Sequence, residues 1–267
     1  MLSNFHTHTS YCDGKSTQRE MILAAIDGGF LELGFSVHSP IGDLAWCIPK
    51  GRLPEYFSEI SALKLEYRDK IKLFCGIEQD FTSDASNLPF DYIIGSVHSV
   101  ETPHGERFID LSLDGLTDII DNHFRGDAYM LAEAYYERVG DIVLKTDCDI
   151  IGHFDIVTKF IEKRPYLSEE HPRYIAAQNR ALDKLLDTNA IFEVNTGAIA
   201  RGHRTVPYPN EYALLRIRES GKPVVINSDC HRKDLLSVGI SETRKMLSSL
   251  SIPWVNSMCE IKSITKK

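Results

Sequence analysis

Residues 2–29 read LSNFHTHTSYCDGKSTQREMILAAIDGG. The apolar run 2–5 has the length of a buried strand, a polar turn carrying His6, His8 and Asp13 follows, and from 17 to 29 apolar residues recur at helical spacing. Thr17 and Glu20 stand three apart just ahead of that stripe. The hydroxyl is placed to accept from the backbone N–H of Glu20 and the carboxylate to reach back to Thr17, which sets the start of the helix. This strand, turn, helix unit recurs along the chain. Further apolar runs lie at 31–37, 71–77, 92–97, 150–154, 191–194 and 224–226, and helical patterns at 54–68, 129–144, 172–187, 210–220 and 241–250. Alternation of this kind predicts a parallel sheet covered by helices. Seven cycles with no Gly-rich dinucleotide turn favour an α/β barrel, closed or nearly so, as a single domain over residues 1–267. Residues 99–126 and 159–171 break the rhythm and are expected as long loops near the barrel mouth, and 262–267 as a solvated end.

Composition excludes several classes. With 43% hydrophobic and 25% charged residues the chain has the balance of a globular protein, and its apolar stretches are far shorter than a membrane-spanning helix requires. A formal charge of −8 provides no field that attracts a phosphate backbone, so nucleic acid is not an expected partner. The start MLSNFHTHTS has neither a basic nor an apolar leader region, which gives a cytoplasmic expectation. The six scattered cysteines, with no CxxC pair, suit reduced thiols.

The chemistry lies in where the histidines fall. A single histidine after an apolar strand is ordinarily a packed residue, but six of the ten here end predicted strands. His6 and His8 are two apart on an extended chain and so point to one side, and Asp13 follows in a turn that Gly14 allows to fold back. His38, Glu78, His98 and His153 end four further strands, and Asp229 and His231 repeat the two-residue spacing after the seventh. In a parallel barrel these ends surround one mouth, so nine nitrogen or oxygen ligands converge from across the sequence. That is more than one ion needs. The set predicts two to three divalent metals, with a carboxylate such as Glu78 shared between ions. Imidazole and carboxylate without thiolate suit zinc, manganese or iron. His104, His123, His171 and His203 lack the strand-end placement.

The motifs FHTHTSYCDGKST, FSVHSP, YIIGSVH, GHFDIVTKF, FEVNTG and NSDCH together resemble the polymerase and histidinol phosphatase (PHP) family, and within it the stand-alone histidinol-phosphate phosphatases, over nearly the whole chain. The resemblance implies a distorted (β/α)7 TIM-like barrel with a trinuclear centre that releases phosphate from L-histidinol phosphate in histidine biosynthesis. It places His6, His8, Glu78 and Asp229 around one metal, Glu78, His98 and His153 around a second, and Asp13, His38 and His231 around a third. Asp13 stands where many relatives carry histidine. Cys230 is expected to pack rather than ligate.

A phosphomonoester dianion repels hydroxide, so hydrolysis at neutral pH calls for cations that bind its oxygens and acidify a water. Attack by a metal-bridging hydroxide is the expected mechanism, with Glu78 and Asp229 as catalytic centre residues. Arg201, four residues beyond Gly197, is expected to fork two phosphate oxygens, with Lys159, His203 and Arg204 as further candidates. The alternatives are a PHP phosphoesterase acting on another small phosphate ester or nucleotide, and a noncatalytic, metal-stabilised PHP module. Oligomeric state and the residues reading the substrate's imidazole and amine are not legible.

Overall fold

In the computed structural model, which describes residues 1–83 and 87–265, the strands are β1 (Leu2–Asn4), β2 (Phe30–His38), β3 (Lys72–Asp80), β4 (Tyr92–Ser96), β5 (Ser99–Thr102), β6 (Gly105–Phe108), β7 (Ile150–Ile151), β8 (Ile191–Asn195), β9 (Val224–Asn227) and β10 (Trp254–Val255). The helices are α1 (Gln18–Asp27), α2 (Leu53–Tyr67), α3 (Leu113–His123), α4 (Ala128–Gly140), α5 (Ile142–Thr146), α6 (Pro172–Leu186), α7 (Gly197–Ala200), α8 (Glu211–Glu219), α9 (Ile240–Ser249) and α10 (Met258–Thr265). One sheet runs β1-β2-β3-β4-β7-β8-β9-β10 with every pairing parallel, and β5 and β6 form a separate antiparallel hairpin.

The sheet curls until its ends meet. Just past β1, Thr7 bridges Cys230 in parallel, with His8 N donating to Cys230 O at 2.9 Å and Cys230 N to His6 O at 3.3 Å. This seam closes the ring of seven expected strands at its C-terminal end, and the eighth, β10, pairs with the start of β9 below it. An outer apolar layer lies between sheet and helices. A second cluster, including Phe5, Tyr92, Ile94, Ile150, Ile191 and Val225, fills the barrel interior and is joined by Val255, Met258 and Ile261 from the C-terminal segment. The solvated end expected at 262–267 is therefore corrected. Through Thr265 it is the end of α10, whose Lys262 Nζ pairs with Asp149 Oδ1 at 2.7 Å and whose Met258 N donates to Glu32 at 2.8 Å, sealing the strand N-termini; residues 266–267 lie outside the described residues.

The capping box at α1 forms as read, with both Thr17 and Glu20 contacts present. Three expectations change. The 129–144 helix is split into α4 and α5 by Asp141, whose backbone (φ −103°, ψ 3°) leaves the helical region. The 150–154 run keeps only two ladder residues: Gly152 runs so close to β4 that a Cβ there would lie 2.4 Å from Ser96 Oγ, and the chain turns at His153. Within 99–126, read as loop, Ser112 caps α3 by accepting from Gly115 N, and Leu116, Ile119 and Ile120 supply a buried stripe that its charged neighbours obscured. The 159–171 loop holds no α-helix or strand.

Tyr92 crosses the interior and donates to Phe5 O, and the room for its ring comes from glycines on two adjacent strands. A Cβ on Gly76 would sit 2.3 Å from Tyr92 Cζ, and one on Gly34 2.3 Å from its hydroxyl oxygen. Because the ring is fully buried it cannot swing away, so Gly76→Ala is expected to lower unfolding free energy by about 1–3 kcal/mol or more, measured by chemical denaturation. A change within about 0.5 kcal/mol would show that the interior is not packed as described.

Candidate metal centre

Glu78 lies two residues before the end of β3 at the barrel mouth, 1% exposed, with imidazoles around both of its oxygens. Oε1 lies 2.8 Å from His153 Nε2 and 3.2 Å from His98 Nε2. Oε2 lies 2.7 Å from His38 Nδ1, 3.3 Å from His6 Nε2 and 3.5 Å from His8 Nε2. Asp229 Oδ1 approaches His8 Nε2 at 3.2 Å and His6 Nε2 at 3.7 Å. Asp13 Oδ1 approaches His231 Nε2 at 3.3 Å and His38 Nε2 at 3.7 Å. All nine strand-end residues thus meet at one place. Asp229 reaches it in a left-handed backbone conformation (φ 48°), a strain held by the seam beside it.

Several of these imidazoles are aimed from behind. His6 Nδ1 sits 2.7 Å from Glu193 Oε1, on β8, and Glu193 is itself fixed by Asn195 Nδ2, Asn227 Nδ2 and the backbone N–H of His153. His98 Nδ1 sits 2.9 Å from Asp80 Oδ2, on β3, and His8 Nδ1 3.5 Å from Cys12 Sγ. Each contact leaves Nε2 turned to the centre, the arrangement that orients imidazole ligands. Glu193 and Asp80 escaped the sequence reading. A charge inside the apolar run IFEVN, and an acid two residues past Glu78 on the same strand, were the available signals.

Electrostatics converge on the same demand. Burial works against the Glu78 carboxylate, yet His38, His6, His98 and the His153 hydrogen bond hold its pKa well below the ordinary carboxylate range. Burial likewise opposes the Asp229 charge and is outweighed by Arg201, His6, His8 and His231. His6 is pulled above its usual value against burial by Glu193, Glu78 and Asp229, and His98 by Glu78 and Asp80, while burial and then His231 and His38 push His8 down. The carboxylates stay ionised and call for cationic partners.

Metal ions fit that demand. His6 Nε2, His8 Nε2, Asp13 Oδ1 and Glu78 Oε2 are buried with no hydrogen-bond partner, and two ligand atoms on one tetrahedral ion stand roughly 3.4 Å apart, the range of the separations above. Three sets have ligand atoms within 4.8 Å of one another: His8, Asp13, His38 and His231; His6, His8 and Asp229; and His38, Glu78 and His98. They differ from the grouping the resemblance implies: His8 joins the Asp13 set, Glu78 is absent from the set of His6, His8 and Asp229, and His38 stands in place of His153 beside Glu78 and His98, since His38 faces Asp13 through Nε2 and Glu78 through Nδ1.

The sequence model of the PHP domain matches residues 4–197, which include seven of the nine converging residues. The chain belongs to the PHP domain family. A histidinol-phosphatase of Lactococcus lactis is 27% identical, with 90% of this chain and 88% of that one aligned. Two solved structures share the fold. One from Listeria monocytogenes, assigned to histidinol phosphatase, has a TM-score of 0.77 at 21% identity and covers 90% of this chain and 99% of its own. One of histidinol phosphate phosphatase from Lactococcus lactis, complexed with Zn, L-histidinol and phosphate, has a TM-score of 0.65 at 20% identity and covers 95% of each.

In this PHP chain a cavity of about 640 Å³ opens above Glu78. Arg201 enters it from the loop after α7. Its Nη2 donates to Asp229 Oδ2 at 2.9 Å and its Nη1 to Asp229 O at 2.9 Å, so the guanidinium holds Asp229 as well as facing the mouth. Lys159 lines the cavity paired with Asp110, donating to its carbonyl at 2.7 Å and its carboxylate at 3.3 Å. His203 also lines it, but burial, Lys159 and Lys163 push its pKa down to about 4, so at neutral pH it is an uncharged hydrogen-bonding group. Arg204 is corrected. It is 6% exposed, does not line the cavity, and ties Thr158, Glu162 and Glu169 together behind it. Cavity residues the sequence reading missed include Trp46, Asp110, Leu111, Lys15 and Arg232.

Glu193→Gln keeps the shape but replaces the charge behind His6 with an amide. Competition with a metal chelator is expected to show zinc affinity at the weakest displaced site falling about 10- to 100-fold. Unaltered affinity would remove Glu193 from the support of the centre.

Proposed function

We propose that this chain is a metal-dependent phosphomonoesterase that hydrolyses L-histidinol phosphate to L-histidinol and phosphate, with residues 1–267 acting as one catalytic unit. The observation that carries the reaction class is Glu78 facing imidazoles through both oxygens beneath a cavity walled by Arg201, Lys159 and His203. The names borne by the related proteins support the choice of ester. His6, His8, Asp13, His38, Glu78, His98, His153, Asp229 and His231 would hold the ions, two to three in number, with Glu78 placed to be shared. Divalent cations there would supply charge that draws in a phosphate dianion and acidity that makes hydroxide from water at neutral pH.

The chain's own groups do the rest. Arg201, pinned by Asp229, presents a planar guanidinium to phosphate oxygens, and Lys159 adds a second positive charge that Asp110 keeps in place. Neutral His203, whose Nδ1 lies 2.9 Å from Lys163 Nζ, has Nε2–H to donate to an oxygen of the ester. In the reaction a water oxygen bonds to phosphorus as the bond from phosphorus to the histidinol oxygen breaks, and a proton ends on the released alcohol. Groups already aimed at the phosphoryl oxygens need little reorganisation as that charge spreads. The six cysteines are unpaired and no described helix is long and apolar enough to cross a membrane, which supports a cytoplasmic enzyme acting on a small molecule.

The test is a panel of phosphate esters assayed on the manganese- or zinc-supplemented protein. kcat/KM for L-histidinol phosphate is expected to exceed that for p-nitrophenyl phosphate by about 100-fold or more, because the remote imidazole and amine contribute binding at the transition state. Equal values would favour a generic phosphoesterase, and no turnover of any ester a noncatalytic module.

A further inference from the structure

The cavity above Glu78 has two unlike walls. Arg201 and His203 follow β8, and across the seven-strand ring Trp46 lies in the loop after β2, with Leu111 on the segment after β6. Nothing in the reaction described above uses Trp46 or Leu111. Leu111 is 63% exposed, a large apolar side chain at the rim of an otherwise charged mouth. The indole of Trp46 is held by three rings: His38 at 4.9 Å and 89°, Phe108 at 5.4 Å and 80°, and His98 at 5.8 Å and 64°. Its loop is tied down by Ile48 N donating to His38 O at 3.0 Å and Cys47 N to Leu44 O at 3.1 Å, with both of those side chains buried. Trp46 is nonetheless only partly buried and lines the cavity. A flat apolar surface is thus fixed in advance against two histidines of the centre, so a ligand that packs on it orders little.

We propose that Trp46, backed by Phe108, is the wall against which the ring of the substrate packs while its phosphate faces Arg201, making Trp46 the residue that selects ring-bearing phosphomonoesters over aliphatic ones. For L-histidinol phosphate the inference rests on the substrate reading above. A planar imidazole on a short carbon chain matches a site with its anion-binding groups on one wall and an aromatic on the other, and aromatic pairs gain from offset or edge contact beyond the area they bury. Binding the ring there restricts the phosphoryl group to one orientation, which moves the benefit into kcat as well as KM.

The experiment compares wild type, Trp46→Ala and Trp46→Phe on L-histidinol phosphate, phenyl phosphate and O-phosphoethanolamine, with metal content per chain measured alongside. Trp46→Ala is expected to lose about ten-fold more kcat/KM on the two ring esters than on O-phosphoethanolamine, Trp46→Phe to regain most of that difference, and both to carry the metal content of the wild type. Equal losses on all three esters, or loss of metal with activity, would overturn the proposal by reducing the indole to a support for His38 and His98. If the wild type hydrolyses phenyl phosphate and ignores L-histidinol phosphate, the substrate reading fails, while the ratio between phenyl phosphate and O-phosphoethanolamine still judges the wall. Calorimetric binding of phenylphosphonate against methylphosphonate gives the same ratio without turnover, and its independence of Trp46 would also sink the proposal.

Discussion

One buried carboxylate facing five imidazoles sets the terms for the rest of the molecule. Glu78 is removed from water near the end of β3, and an ionised carboxylate there is tolerable only where positive charge is supplied from several directions. The strands deliver it. β1 and its extension bring His6 and His8, β2 brings His38, β4 leads to His98 and β7 to His153, and the two Glu78 oxygens divide them into a pair and a trio. Cations in the gaps between this carboxylate and its imidazoles would satisfy both together, and the unpartnered His6 Nε2, His8 Nε2, Asp13 Oδ1 and Glu78 Oε2 lie at those gaps.

Barrel closure is part of the same device. Asp13, Asp229 and His231 reach the centre because the Thr7–Cys230 seam lays the end of β9 beside the start of the chain, and Cys230 itself turns into the apolar layer. The far end is shut by α10, so the interior is a packed core below and a polar cup above. Glu193 links the two halves, since it orients His6, binds the His153 backbone and collects the amides of Asn195 and Asn227 from two neighbouring strands.

The strand ends and the residues that converge there were legible because two independent signals agreed: apolar runs of strand length, and ligand-type residues at or within a few steps of their ends. What stayed hidden depends on long-range packing. Nothing local marks Glu193 or Asp80 as the group behind a particular histidine. The hairpin and α3 were masked by charges that face solvent while Leu116, Ile119 and Ile120 turn inward. Arg201 and Arg204 are three residues apart on one loop, and Gly202 between them, in the left-handed region at φ 66°, reverses the chain so that one enters the cavity and the other is buried behind it. Trp46 lies in a stretch with no periodic signal, so only the folded loop shows that it overhangs His38 and His98.

The central claim is that Glu78 is shared between metal ions that the reaction needs, and elemental analysis of wild type beside Glu78→Gln, each assayed with L-histidinol phosphate after metal supplementation, tests it most directly. The wild type should carry about two to three divalent ions per chain, and the amide variant should lose at least one of them together with about 100-fold or more of kcat. A Glu78→Gln protein that keeps the full metal complement and near-normal turnover would contradict the claim.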